Sequence, residues 1–417
     1  MKLYDHQKKI IDADPKKCGL FLGTGSGKTR IALRLARGKT LVICPKTQKE
    51  DQNWERENKS LDDGFMIPPK NLVVMSKETF RRDFASLPKF DTVIVDEAHT
   101  CLGVTPSTRQ RKKVVIPRAS QLFEALETYL YMHKPERLYL ATATIMRSPM
   151  TVWGAAKILG HTADFYTFRH NFYTKLPMPG REVWAPKKDD VTKDKLAQVV
   201  RLLGYVGRLE DYFDVPDQTY RTTYVEMTAE QKARIKDMNV EFPEPIVRLG
   251  KRHQIENGVL AGDEFSPQES FNNEKEKVLL ELALEFPRMV LFVKYTYQIK
   301  ILEERFREEG YKVLTLTGAT KERGSVIKEA NDSKECIFIA QAQISAGWEL
   351  PEYPVMVFVS RTYSFVDYDQ AVGRIQRANN IKKNLYINLV TRGGVDEQVD
   401  KCLEMKQDFN ERLYLNL

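Results

Sequence analysis

Apolar residues along this chain fall into short, nearly continuous runs, separated by longer stretches in which they recur every three or four positions. In the first half the runs lie at 40–44, 72–75, 92–95 and 138–141. Runs of this length predict strands buried on both faces of a parallel sheet, which needs no polar side. Helical periodicity lies between them, at 28–37 and 120–133. Strand alternating with helix predicts an α/β doubly wound domain.

The pattern then restarts. Runs at 290–293, 313–316, 337–340, 355–359 and 385–389 alternate with helical stretches at 295–309, 321–331 and 396–410. Two α/β lobes are expected, the first over 1–227 and the second over 274–417. Residues 228–273 carry two early prolines, Pro243 and Pro245, then Gly258, Gly262 and a polar run. They read as a linker or small accessory insertion.

Composition narrows the class. Of 417 residues, 42% are hydrophobic and 29% charged, enough apolar material for two cores in a globular chain. No run approaches the ~18 apolar residues of a membrane span. Residues 1–12 read as an amphipathic helix and not as a signal peptide. Cys18, Cys44, Cys101, Cys336 and Cys402 are scattered, with no C-x-x-C pair. Neither zinc nor disulfides are expected, and a reducing cytoplasm (the host's, for a viral protein) fits. The formal net charge of +8 is compatible with a polyanionic partner. Residues 105–118 concentrate Arg109, Arg111, Lys112, Lys113 and Arg118 between Pro106 and Pro117. They predict an exposed basic loop, which reads either as a solvated segment or as a nucleic-acid contact.

Three local patterns carry chemistry. Gly23, Thr24, Gly25, Ser26, Gly27, Lys28 and Thr29 follow an apolar run and open a helix. Glycines at this spacing let backbone N–H groups face inward as a nest for phosphate oxygens at a helix N-terminus. Lys28 would reach the outer phosphates and the Thr29 hydroxyl would hold Mg²⁺. The strict phosphate-loop pattern has glycine where this chain has Leu22. Second, the run at 92–95 ends in Asp96 and Glu97. Strand ends in parallel sheets face the ligand crevice, so Asp96 is a metal-site candidate and Glu97 a general-base candidate. Third, Gln370, Arg374 and Arg377 are spaced to lie near one face of a helix, where two guanidiniums could meet γ-phosphate charge.

Together these residues resemble motifs I, II and VI of superfamily 2 helicases and translocases, with Asp96-Glu97-Ala98-His99 as the DEAH sequence. The resemblance runs along most of the chain. Tyr4 and Gln7 resemble the adenine-reading glutamine motif. Pro45, Lys46 and Thr47 resemble motif Ia, Ser76 and Lys77 motif Ib, and the segment from Ala141 to Thr144 motif III. Gln343, Ser345 and Gly347 resemble motif V, which departs from the usual pattern at Trp348-Glu349. In that family the Leu22 position often lacks glycine. Residues 52–57, including Trp54, and 146–153, including Trp153, resemble Swi/Snf-type double-strand translocases, as does the stretch 221–231. A compact phage or bacterial member is implied.

What the resemblance implies is two tandem RecA-like lobes with an ATP cleft between them. The first would supply Tyr4, Gln7, the phosphate loop, Asp96 and Glu97, the second Gly347, Gln370, Arg374 and Arg377. ATP and Mg²⁺ would be the cofactors, with Thr29 and Asp96 on the metal. Pro45, Lys46, Thr47, Ser76, Lys77, Gln343 and Ser345 would line the nucleic-acid track. Double-stranded DNA is the favoured partner, with single-stranded DNA possible and RNA less favoured. Strand separation or branch migration on DNA forks or RNA, and a nucleotide-regulated binding module with little turnover, stay open as alternatives.

Overall fold

The computed structural model describes residues 3–61, 64–111, 114–161, 164–177, 183–208, 211–213, 218–242, 244–262, 268–344, 348–376 and 383–404. The chain divides into two compact units, Met1–Phe213 and Asp214–Leu417.

The first unit is built on six strands: β1 (Lys17–Leu22), β2 (Thr40–Cys44), β3 (Leu72–Ser76), β4 (Thr92–Asp96), β7 (Arg137–Ala141) and β10 (Gly204–Gly207). Between them in sequence come β5 (Val104–Arg111) paired with β6 (Val114–Ala119), and β8 (Tyr173–Leu176) paired with β9 (Val183–Pro186). The six run in the order β10-β1-β7-β4-β2-β3, and every pairing is parallel. Both faces are covered. Leu41 and Ile43 enter one apolar cluster, Val42 and Cys44 the other. Alternating side chains of one strand thus feed two cores, which is why the strand reads as a continuous apolar run.

At the sheet edge two glycines meet. Gly19 on β1 pairs with Gly204 on β10, and a Cβ at Gly204 would stand 2.1 Å from the Gly19 carbonyl oxygen. Only glycine lets β10 approach this closely.

The second unit repeats the plan. Its strands are β11 (Thr219–Val225), β14 (Arg288–Val293), β15 (Val313–Leu316), β16 (Cys336–Gln341), β17 (Val355–Phe358) and β18 (Leu385–Thr391), with the short hairpin β12 (Val259–Leu260) and β13 (Glu269–Ser270) outside the sheet. The order is β11-β18-β17-β14-β16-β15, again all parallel. Met289, Leu291 and Val293 face one core, Val290 and Phe292 the other. Both units therefore have the expected α/β parallel-sheet architecture.

Three expectations change or narrow. The boundary expected after residue 227 lies between 213 and 214, and Thr219–Val225 is the edge strand of the second sheet, in register with Leu385–Thr391. The described part of 228–273 is folded, which leaves the accessory insertion of the two readings, linker or accessory insertion. It contains the helices Ala229–Glu241 and Pro245–Glu256, and His253, Glu256 and Asn257 are buried in the second unit. His253 Nε2 lies 2.8 Å from Asp396, and Lys275 Nζ donates to Asn257, Val359 O and Asp396, each at 2.7 Å. Buried polar groups bond to one another here, so the segment lacks the apolar run that marks a core element. Third, the expected basic loop is the antiparallel hairpin β5–β6. Lys112 and Lys113 lie outside the described residues.

Candidate active site

The glycine-rich loop lies between β1 and the helix Lys28–Leu35. Gly25 and Gly27 both have φ of +81°, the left-handed region that glycine enters at no steric cost. Gly27 has a second constraint: a Cβ there would stand 2.2 Å from Gln7 Nε2. The side chain of Ser26 turns inward and donates to Gly23 O at 2.7 Å. Lys28 Nζ donates to Leu22 O at 2.8 Å and Gly23 O at 3.0 Å, so the ammonium lies over the loop's own backbone.

Gln7 and His6 reach this loop from the helix Asp5–Asp12. Gln7 Nε2 donates to Ser26 O at 3.1 Å, and His6 Nε2 lies 2.9 Å from the same oxygen. Gln7 Oε1 accepts from Tyr4 N at 3.2 Å, which caps the helix. Tyr4 sits edge-on to Phe213, and His6 stacks on Tyr212 at 4.1 Å between ring centres. Leu3, Tyr4, His6, Asp211, Tyr212 and Phe213 line a cavity of about 500 Å³ beside the loop. The aromatic pair Tyr212 and Phe213 carried no signal in the sequence, because nothing in a lone Tyr-Phe step says which strand end it returns to.

The acid pair stands at the end of β4, in the middle of the sheet. Asp96 Oδ1 accepts from Glu97 N at 2.9 Å and Oδ2 from the indole of Trp54 at 3.3 Å. Glu97 turns the chain with a φ of +43°, an unusual left-handed conformation for a side chain of this size. Next along the chain, His99 Nδ1 lies 2.9 Å from Thr142 Oγ1, 3.1 Å from Thr144 Oγ1 and 3.4 Å from Glu97 Oε2. One imidazole therefore joins the acid turn to the end of β7, the place of motif III.

Environment separates the two carboxylates. Burial, and then the charge of Glu97, push Asp96 up to about 6. Burial alone would also raise Glu97. Its hydrogen bond to His99 and the positive charge of Lys28 outweigh that and hold it low. The two carboxylates titrate as one system in two steps, with Glu97 favoured as the first to ionise. An ionised Glu97 beside a more readily protonated Asp96 suits a proton acceptor at the first position.

Two residues assigned to the nucleic-acid track have other work. Ser76 Oγ caps the helix Lys77–Asp83 by accepting from Thr79 N at 3.1 Å. Lys77 is buried, and its Nζ donates to Glu97 O at 2.9 Å and Thr100 Oγ1 at 2.6 Å. Both side chains are committed to the protein's own backbone and to the acid turn, where a surface phosphate contact was expected. Pro45 and Lys46 open the short helix Lys46–Glu50, where Lys46 is exposed and pairs with Glu50 at 3.6 Å; Thr47 follows on it. Gln343 accepts from Gln341 Nε2 at 2.7 Å. Ser345, Gly347 and Arg377 lie outside the described residues.

In the second unit the helix Phe365–Val372 carries Gln370 but stops at Gly373, so Arg374 follows the helix and does not ride on it. The Arg374 carbonyl accepts from Leu350 N at 3.0 Å, which removes it from any continuing helix. Its guanidinium donates to Gln370 O at 3.0 Å and Trp348 O at 3.1 Å. Trp348, the departure within motif V, is buried and its indole donates to Ile344 O at 2.6 Å. Arg374 is thereby seated on the motif V backbone.

Comparison with known proteins bears on the second unit most directly. Residues 274–379 match the helicase conserved C-terminal domain. The subunit snf22 of the SWI/SNF chromatin-remodeling complex of Schizosaccharomyces pombe is 23% identical over 143 residues, 33% of this chain and 8% of that protein. The chromatin-remodeling ATPase INO80 of Gibberella zeae is 26% identical over 138 residues, 32% of this chain and 7% of that protein. The matches thus span less than a tenth of either relative. The SWI2/SNF2 ATPase core of Sulfolobus solfataricus, solved in complex with double-stranded DNA, aligns over 97% of this chain and 91% of that one, at 19% identity and a TM-score of 0.40. The resemblance to Swi/Snf-type members of superfamily 2, drawn from the motifs, agrees with the relatives found.

Proposed function

We propose that this chain is an ATP-hydrolysing translocase of superfamily 2 that moves along or remodels DNA. The observation that carries the reading is the joining of the acid turn to Thr142 and Thr144 through His99, beside a glycine loop that opens a helix. A strand that merely ended in acidic residues would have no reason to be wired to the neighbouring strand end.

In this reading the phosphates of ATP lie on the backbone N–H groups at the start of the helix Lys28–Leu35, where the helix dipole favours negative charge. Lys28 moves from its carbonyl partners to the outer phosphates. Gln7 and Tyr4 stand beside the base. Thr29 offers a hydroxyl and Asp96 a carboxylate, hard oxygen donors that suit Mg²⁺. Among the described residues no group of three or more His, Cys, Asp or Glu could hold a metal by itself. That fits an ion held by one or two protein oxygens and by phosphates. Bound magnesium supplies positive charge to the transferring phosphoryl group. Glu97 orients the attacking water and accepts its proton.

From the second unit, Gln370, Arg374 and Arg377 contribute to transition-state charge, with Gly347 on the nucleotide. Pro45, Lys46, Thr47, Gln343 and Ser345 are assigned to the nucleic-acid track. They should meet backbone phosphates, because a motor has to ignore sequence. Double-stranded DNA is the preferred substrate. The positive net charge and the chromatin-remodelling relatives support that choice.

The deciding experiment measures ATP turnover with double-stranded DNA, single-stranded DNA and RNA, using Lys28→Ala as the inactive control. We expect DNA to stimulate more than RNA, with double-stranded DNA at least equal to single-stranded. Stimulation by single-stranded RNA alone would overturn the substrate, and wild-type turnover by Lys28→Ala would overturn the site.

A further inference from the structure

The helix that carries Trp54 touches both the acid turn and the helix that follows the glycine loop. In the helix Asn53–Lys59, Trp54 is fully buried and its indole N–H donates to Asp96 Oδ2 at 3.3 Å. One turn further on, Glu57 pairs with Arg30 at 2.7 Å, and Arg30 is the residue after Thr29. The helix is itself held in place. The Asn58 amide donates to Ile67 O at 2.8 Å and accepts from Ile67 N at 2.9 Å, and Glu55 pairs with Lys49 at 2.7 Å.

We propose that Trp54 is a positioning residue for the metal site, its indole N–H fixing the Asp96 carboxylate in the orientation that binds Mg²⁺. The proposal rests on the nucleotide reading above. The chemistry follows from the donor type. A ligating carboxylate is free to turn about its own torsion unless its oxygens are held. Asp96 Oδ1 is held by Glu97 N and Oδ2 by Trp54. An indole N–H only donates, so it orients the carboxylate and cannot replace it on the cation. The ring is also rigid and buried, and its helix is anchored at Asn58 and Glu57. The hydrogen-bond position is therefore set by packing and not by a mobile chain. Partners of this kind, outside the ligands themselves, typically contribute about 10- to 100-fold in metal affinity.

The test is ADP binding to the full chain by calorimetry across a Mg²⁺ series, with the Mg²⁺-free affinity as reference. Trp54→Phe keeps most of the ring volume and loses the N–H. We expect the half-saturating Mg²⁺ concentration to rise about tenfold or more while Mg²⁺-free ADP binding stays at the wild-type value. On an Asp96→Asn background the same replacement should add nothing further. A Trp54→Phe titration that superimposes on wild type overturns the proposal, and so does a penalty that persists undiminished beside Asp96→Asn. Wild-type chain with no affinity for ADP would instead overturn the nucleotide reading itself. Should Trp54→Phe fail to fold, 5-fluorotryptophan in the otherwise unchanged chain gives a second route. The Trp54 resonance, assigned by replacing Trp153, Trp184 and Trp348 in turn, should shift when Mg²⁺ is added to the ADP complex. A resonance that does not move overturns the proposal.

Discussion

His99 and Thr142 stand 43 residues apart in the chain and meet at 2.9 Å. The contact ties the end of β4 to the end of β7, so a change at the acid turn is felt at the neighbouring strand. It also keeps His99 beside Glu97, whose carboxylate is held low partly by that ring.

Glu97→Gln preserves the shape of this turn and removes the proton acceptor. Turnover should fall by about 10²- to 10⁴-fold with ATP binding retained. A filter-binding or fluorescence assay should find a long-lived ATP complex. Rapid hydrolysis in that variant would assign the attacking water to another residue.

Arg374→Ala should retain nucleotide binding and lose on the order of 10³-fold in hydrolysis of bound ATP. Because the guanidinium also donates to Trp348 O, a thermal melt has to accompany the kinetics. Lost affinity with unchanged single-turnover hydrolysis would make Arg374 a ground-state contact.

The hairpin β5–β6 provides a test of the DNA track. Arg111, Lys112 and Lys113 are adjacent in sequence, and replacing all three by Gln removes three positive charges. If they meet DNA phosphates, binding weakens and the log–log salt dependence flattens by up to about one unit per lost contact. An unchanged slope would make the segment a solvated hairpin.

The second unit should lose stability in mild acid. Burial holds His253 down to about 4, from the 6.5 of a free imidazole, and outweighs the opposing pull of Asp396. The unfolded chain therefore binds the proton that the folded chain refuses. Stability contributed by neutral His253 is complete above about pH 6.5 and declines as pH falls toward 4, with a limiting slope of about 1.4 kcal/mol per pH unit. Comparing urea unfolding of wild type and His253→Gln between pH 7 and 4 isolates this contribution; parallel curves would exclude it. Asp396→Ala leaves Lys275 buried without its carboxylate and should cost about 3–5 kcal/mol at neutral pH.

Strands at the centre of each sheet were legible because both their faces are apolar. Residues 40–44, 92–95 and 337–340 lie within strands that extend them by no more than one residue at either end. Of the four edge strands, β3 and β15 were legible in the same way, and β10 and β11 were not. In Thr219–Val225 only Val225 is buried, and Gly204–Gly207 is four residues bounded by glycine, so neither has an apolar run to see. In the segment 228–273 the buried apolar residues Met238, Ile255, Leu260 and Phe271 are scattered and not in one run, and His253, Glu256 and Asn257, buried beside them, read as surface. At the site, residue type and spacing identified the loop and the acid pair. They could not say that Lys77 turns inward to Glu97 O, or that the Trp54 indole ends on Asp96, because both depend on which strand ends the sheet order brings together.

The edge strand β10 also has a bearing on how the protein is made. Gly23 N–H, at the start of the glycine-rich loop, donates to Gly207 O at 2.8 Å. The loop leaves the ribosome among the first thirty residues, whereas the carbonyl that completes it belongs to residue 207. A nascent chain stalled after β7 carries every glycine and lysine of the loop and still lacks that anchor. An N-terminal fragment that ends before Gly207 therefore has the whole glycine loop in its sequence and lacks one of the bonds that hold it in the folded unit.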